Sequence, residues 1–161
     1  MKVSKSKRYR ATIGQSFAVG EFKIEYQRKP TEEPLLPVSK SADVIDLLRQ
    51  IWPRSIDYIE CSMMLMLNRA NRLVAWTHLS TGGTSGTLID VKVIMQHALL
   101  NNSECIILAH NHPSGQLKAS NADKEITAKV KAAGRSIDIT LIDHIIITST
   151  GYYSLADEGE L

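Results

Sequence analysis

Apolar residues along the chain fall into short runs and amphipathic stripes that alternate with one another. From Ser41 to Trp52, the residues Val44, Ile45, Leu48, Ile51 and Trp52 recur at helical spacing, with Ser41 placed to cap the helix and Pro53 to end it. Two apolar runs, Ile56 to Leu67 and Arg72 to Leu79, flank Asn68-Arg69-Ala70-Asn71, which is the pattern of a β-hairpin. Met63, Met64 and Met66 in the first run read as core packing. Asp90 caps a second helix whose apolar face is Val91, Ile94, Met95, Ala98 and Leu99, while His97 lies off that face and reads as a surface residue. Glu104 to Ala109 is apolar on both faces, as suits a central strand buried between two layers. Ser120 is a good cap for a third helix over Asn121 to Ala133, with Gly134 ending the pattern. Ile137 to Ile142, Ile145 to Thr148 and Tyr152 to Leu155 supply three short strands, the last two joined by a turn at Ser149-Thr150-Gly151. The alternation predicts an α/β protein with a mixed β-sheet sandwiched by helices, rather than a helical bundle.

Length and charge refine this picture. At 161 residues and 43% hydrophobic content, the chain suffices for one domain with a real core and is too short for two ordinary ones. No apolar run approaches the length of a membrane helix, and the basic start MKVSKSKRYRA is not followed by the apolar segment of a secretory signal. The two cysteines, Cys61 and Cys105, sit in apolar strands and read as reduced, so a cytoplasmic location is expected. Net charge is +2 but uneven: residues 1–30 carry eight Lys/Arg against two Glu, leaving the remainder four net negative. The expected organisation is a basic N-terminal arm and linker over 1–40 and a folded domain over 41–161. Within the arm, Glu21 to Tyr26 alternates well enough for one edge strand, and Arg28 to Lys40 reads as a proline-containing linker. Such an arm either contacts DNA or another acidic surface, or is a solvated terminus.

The candidate chemistry lies between His110 and Asp123, in HNHPSGQLKASNAD. If the strand ending at Ala109 continues, His110 and His112 point the same way, because strand side chains repeat with period two. Asp123 shares a helix face with Ile126, Thr127, Val130 and Ala133, so its carboxylate lies on the core-facing stripe and needs a partner. Two imidazoles and one carboxylate make three protein ligands, the number found at catalytic zinc sites that keep a fourth position for water. Plainer readings exist for the same residues: Ser120-x-x-Asp123 also fits a capping box, and the histidines fit a surface pair. Glu60 and Asp57 both lie in the early part of the first apolar run, and nothing in the residues themselves chooses between them as a catalytic acid. Ser80-Thr81-Gly82-Gly83-Thr84-Ser85-Gly86 lacks the pattern of a nucleotide-binding loop; it is either a flexible connection or a place of close backbone approach. The H-x-E and P-C-x-x-C signatures of a deaminase are absent.

His110-x-His112-x7-Ser120-x2-Asp123 resembles, position for position, the motif of the JAMM (JAB/MPN) metalloproteases. LAHNHPSG, LIDHIII and GYYSLADEG resemble its RadC-like JAB-domain subfamily, from about Ser41 to the C-terminus. The resemblance implies the α/β JAMM/MPN fold, similar to the cytidine deaminase architecture, with one Zn2+ per chain held by His110, His112 and Asp123. It implies Glu60, rather than Asp57, as general base for the metal-activated water, aligned through Leu65 to Leu73. Ser120 is then placed to donate a hydrogen bond to the oxyanion or the water, and the Ser80 to Gly86 loop lies beside a cleft for an extended substrate chain. The Asp143-His144 pair also matches the family; one member orients a metal ligand, or His144 is a hydrogen-bonded core histidine. The implied activity is hydrolysis of a peptide or isopeptide bond. Two alternatives stand beside it. One is a DNA-associated role in repair or recombination, which the family name suggests, although the helix-hairpin-helix segment that often precedes the domain is not evident. The other is a non-catalytic protein-binding module, against which the intact ligand positions count. His78 belongs to no motif.

Overall fold

In the computed structural model of the chain, residues 7–10, 16–19, 34–82 and 89–161 are described. They belong to two units, Met1–Thr31 and Glu32–Leu161. In the first, β1 (Lys7–Arg10) pairs antiparallel with β2 (Ser16–Val19), Lys7 lying opposite Val19. The edge strand expected over residues 21–26 lies outside the described residues.

The second unit runs α1 (Ala42–Ile51), β3 (Cys61–Leu67), β4 (Leu73–Thr81), α2 (Val91–Leu100), β5 (Cys105–Asn111), α3 (Asn121–Arg135), β6 (Thr140–Ile147) and β7 (Tyr152–Ser154). Its five strands lie in the order β4-β3-β5-β6-β7. The β5–β6 pair is parallel and the other pairs are antiparallel, so the sheet is mixed as expected. A parallel pair needs a crossover, and α3 supplies it. Strand alternation assigns the two faces. Cys61, Met63, Leu65 and Leu67 of β3 join Ile107 and Ala109 of β5 in the core against Val44, Ile45 and Leu48 of α1. Met64 and Met66 join Ile106 and Leu108 against Ile94, Met95 and Ala98 of α2 and Val130 of α3. The methionines are thus core residues, in a helix–sheet–helix sandwich. Among the described residues no helix is long and apolar enough to cross a membrane.

Several boundaries differ from expectation, each for a physical reason. The first strand begins at Cys61, not Ile56; residues 53–60 form turns, and the carbonyls of Ile56 and Ile59 bond to the Asn111 side chain instead of a strand ladder. Ser41 has helical φ and ψ and makes no capping bond; its hydroxyl donates to Asp157 Oδ2, and Asp43 accepts from the backbone N–H groups of Ser39 and Lys40. Leu99 is 59% exposed rather than part of the buried stripe. Gly134 lies inside α3, where the carbonyl of Ile139 occupies the space a Cβ would fill. Thr140 to Ile147 is one strand through Asp143 and His144, not two strands broken by a polar pair. The segment Leu36–Val38, in the stretch read as a linker, lies against the hairpin: Leu36 O accepts from Leu73 N, Val38 N donates to Asn71 O, and Val38 is buried.

Candidate metal centre

His110 is the penultimate residue of β5, and its register partner on β3 is Ser62. It continues the alternation of Ile106 and Leu108, so its side chain faces α3. His112 follows beyond the strand and keeps the same phase, its N–H bonded to Ile147 O. On α3, Ser120 and Asp123 form a full capping box. Ser120 Oγ accepts from Asp123 N at 3.2 Å, while Asp123 Oδ2 accepts from Ser120 N at 2.7 Å and from Ser120 Oγ at 2.6 Å. With Oδ2 taken, Oδ1 is directed at His110 Nε2, 3.2 Å away. The two Nε2 atoms lie 3.0 Å apart. One ligand atom each from His110, His112 and Asp123 fits within 4.8 Å of the others.

A chain of hydrogen bonds settles which imidazole nitrogens carry protons. The Thr127 hydroxyl donates to the Asp123 carbonyl at 2.5 Å, so it accepts from His144 Nδ1–H at 2.6 Å. Neutral His144 then has an acceptor at Nε2, which takes the Nδ1–H of His110 at 2.9 Å. That leaves His110 Nε2 facing Asp123. Separately, His112 Nδ1 donates to Gln116 O at 2.8 Å, which frees its own Nε2. His144 is neutral because burial, reinforced by repulsion from His110, pushes its pKa down to about 3.

With both rings neutral, three acceptor atoms face one another, an arrangement that a divalent cation satisfies. With the rings protonated, their Nε2–H groups face the carboxylate instead. Burial pushes the Asp123 carboxyl up, but hydrogen bonds from His110, His112 and Ser120 outweigh it and hold the group far below the usual carboxylate range. The hydrogen bond to Asp123 raises His112, against a lesser effect of burial, and the charge of Glu60 adds to the rise.

Glu60 is one residue before β3. The β3–β5 ladder ends at the pair Ser62–His110; continued by two residues, that register would bring Glu60 level with His112, on whose pKa its charge acts. Its carbonyl accepts from Gly82 N at 2.8 Å. Asp57 is exposed in the preceding turn. Ser120 stands at the site, its hydroxyl engaged with Asp123. Asp143 and His144 part company: His144 bonds the candidate ligand His110, whereas Asp143 accepts from Ser154 Oγ, Ala156 N and His144 N. His78 is exposed on β4 and bonds Thr81. The small-residue loop is described only to Gly82; its residues 83–86 lie outside the described residues. The sequence reading missed two participants, Thr127 and Asn111. Thr127 sits one helical turn after Asp123 and could have been suspected from that spacing, but its partner His144 is 17 residues away.

The RadC-like JAB domain family matches residues 38–160. A UPF0758 protein of Flavobacterium johnsoniae is 39% identical over 151 residues, covering 91% of this chain and 65% of that protein. A UPF0758 protein of Porphyromonas gingivalis is 42% identical over 99 residues, 61% of this chain and 44% of its own length. The UPF0758 protein YfjY of Escherichia coli is 41% identical over 99 residues, 62% of each chain. The chain thus spans 44% to 65% of these relatives, whose names state no activity.

Proposed function

The chain belongs to the RadC-like JAB domain family, and from that premise we propose that it is a zinc-dependent hydrolase cleaving an amide bond, peptide or isopeptide, in a protein or peptide substrate. The observation that carries this reading is the convergence of His110 Nε2, His112 Nε2 and an Asp123 carboxylate oxygen, with the outward nitrogens of both rings already bonded. Two imidazoles and one carboxylate suit zinc, with one position left open. Bound there, zinc supplies Lewis acidity, which makes water acidic near neutral pH and polarises a carbonyl.

The remaining work belongs to the chain's own groups. The Glu60 carboxylate, whose charge acts on His112, takes a proton from the attacking water and returns it to the departing amine nitrogen as the C–N bond breaks. His144 and Thr127 hold the His110 ring, and Gln116 O holds the His112 ring. Ser120 fixes Asp123; turned away from Oδ2, its hydroxyl is the donor to the developing oxyanion, a contribution of about 3 kcal/mol.

Elemental analysis of protein purified without added metal tests the site. We expect about one zinc per chain, lost in His112→Ala and in Asp123→Ala. Glu60→Gln should keep zinc but lose turnover of fluorogenic peptide and isopeptide probes. Wild-type protein that stays metal-free after zinc is added back would overturn the reading.

A second reading, contact with nucleic acid through residues 1–30, has one observation in its favour. The β1–β2 pair carries Lys7, Arg8 and Arg10 and no acidic residue, an excess of positive charge in the sequence of its strands.

A further inference from the structure

Between the two metal-ligand histidines stands a residue that faces the other way. Asn111 is fully buried, and strand alternation turns its side chain to the α1 face, opposite His110 and His112. All three of its hydrogen bonds go to one short segment. Oδ1 accepts from Cys61 N at 2.7 Å, and Nδ2 donates to Ile56 O at 2.6 Å and to Ile59 O at 2.9 Å. Two of these groups, the Ile59 carbonyl and the Cys61 N–H, belong to the immediate neighbours of Glu60.

Apart from the packing of Ile56 and Ile59 on the core and a turn bond from Tyr58 N to Ser55 O, side-chain hydrogen bonds to this segment come from Asn111. Residues 53–60 are turns without helix or strand, and Asp57 and Tyr58 are exposed. Glu60 itself is tied through its carbonyl to Gly82 N. Asparagine is the side chain that fits the task. One acceptor and two donors on a short stem are needed; aspartate has no donor when ionised, serine has one, and leucine has none.

We propose that Asn111 is the positioning residue for Glu60: it clamps residues 56–61 from the far face of the sheet and so sets Glu60 level with His112. One tripeptide, His110-Asn111-His112, thereby places both kinds of group the reaction needs. Its outer residues present metal ligands on one face, and its middle residue holds the base from the other. The proposal rests on the reading of Glu60 as general base, and the experiment separates the two.

The first measurement needs no substitution. In the zinc-loaded full chain, the Asn111 side-chain amide protons and the Cys61 amide should exchange with solvent slowly by NMR. Exchange as fast as that of a surface asparagine overturns the clamp. The second compares wild type, Asn111→Ala, Glu60→Gln and the double variant, using cobalt as the metal probe. Asn111→Ala should speed amide exchange over residues 56–61 by about ten- to a hundredfold while leaving α3 and β6 unchanged. It should still bind cobalt at the wild-type stoichiometry and should shift the visible cobalt spectrum in the direction of Glu60→Gln. The double variant should match Glu60→Gln alone, because a residue acting through Glu60 has nothing left to act on. A merely structural role predicts a further, additive change, and that result overturns the proposal. If Glu60→Gln leaves the cobalt spectrum and probe turnover unchanged, the general-base reading falls, and with it the purpose of the clamp. The exchange data then still decide whether the clamp exists. Should Asn111→Ala not fold, Asn111→Ser, which retains one donor and a smaller volume, takes its place.

Discussion

At the scale of single residues, the candidate centre depends on groups that are not metal ligands. His144 accepts the Nδ1–H of His110 and gives its own to Thr127, so its loss removes the group that fixes the ligand's tautomer. His144→Phe should weaken zinc binding by about 10- to 100-fold in a chelator competition, whereas His144→Gln, which can still accept and donate, should retain most of it. Equal losses in both variants would mean that packing, not hydrogen bonding, sets the affinity. The same residue contributes to how metal-free protein responds to acid. Burial holds His144 down to about 3, so the folded chain binds this proton less readily than the unfolded chain, where an imidazole titrates near about 6.5. Its contribution to stability is fully present above about pH 6.5 and is lost as pH falls towards 3. His112 behaves in the opposite sense. Its hydrogen bond to Asp123 raises it, so its contribution is present below about 6.5 and is lost as pH rises through the folded value. Urea midpoints of metal-free wild type should therefore peak near pH 6.5, and the decline on the acid side should be shallower in His144→Gln. An unchanged acid limb would show that His144 is not held neutral. Residue types were legible in the sequence where local spacing carried them, as in His110, His112, Ser120 and Asp123. Thr127 and Asn111 were not, because their partners lie 17 and 50 or more residues away along the chain.

At the scale of elements, the decisive irregularity is a bulge in β6. Ile106 pairs with Leu141, but Ile107 pairs with Asp143, so Ile142 is an extra residue in the ladder. Without it, Asp143 would stand in phase with Leu108 and His110, and His144 would face α1. The bulge instead sends His144 to His110 of the candidate metal centre and Asp143 to Ser154 and the C-terminal segment. Sequence periodicity over Ile137 to Thr148 showed an interruption and suggested a break between strands. Both polar residues are in fact buried with partners, and a single bulge is the smaller perturbation. Gly134 is a second case of packing overriding a local signal. A helix usually stops near such a glycine, yet α3 continues to Arg135 because the Ile139 carbonyl approaches where a side chain would project. An added Cβ would lie 2.3 Å from that backbone oxygen, which has no freedom to rotate away. Gly134→Ala should accordingly destabilise the protein by about 1–3 kcal/mol, despite alanine's better helix propensity. A gain in the urea midpoint would show that the α3–β6 connection is free to shift.

At the scale of the whole molecule, the order of apolar runs was enough to foresee a mixed sheet between helices, because each buried element needs a second layer against its apolar face. Strand order was not legible: placing β5 between β3 and β6 depends on pairings across the chain that no local pattern encodes. Charge supplies a property independent of that architecture. The excess of cations in residues 1–30 is set against a net negative remainder, and the described part of the N-terminal unit is the β1–β2 pair with Lys7, Arg8 and Arg10. If this ribbon meets nucleic acid, binding is driven by release of counterions from phosphates, and affinity must fall steeply with salt. Replacing the three cations by serine in the full chain should weaken binding to duplex DNA of any sequence and reduce the slope of log affinity against log salt by about 2 to 3. Zinc content should stay at the wild-type value, since the candidate ligands His110, His112 and Asp123 belong to the other unit. Fluorescence anisotropy at a series of salt concentrations distinguishes the outcomes. A slope that does not change on substitution would exclude the β1 cations from the contact. Wild-type protein with no measurable binding at low salt would overturn the nucleic-acid reading.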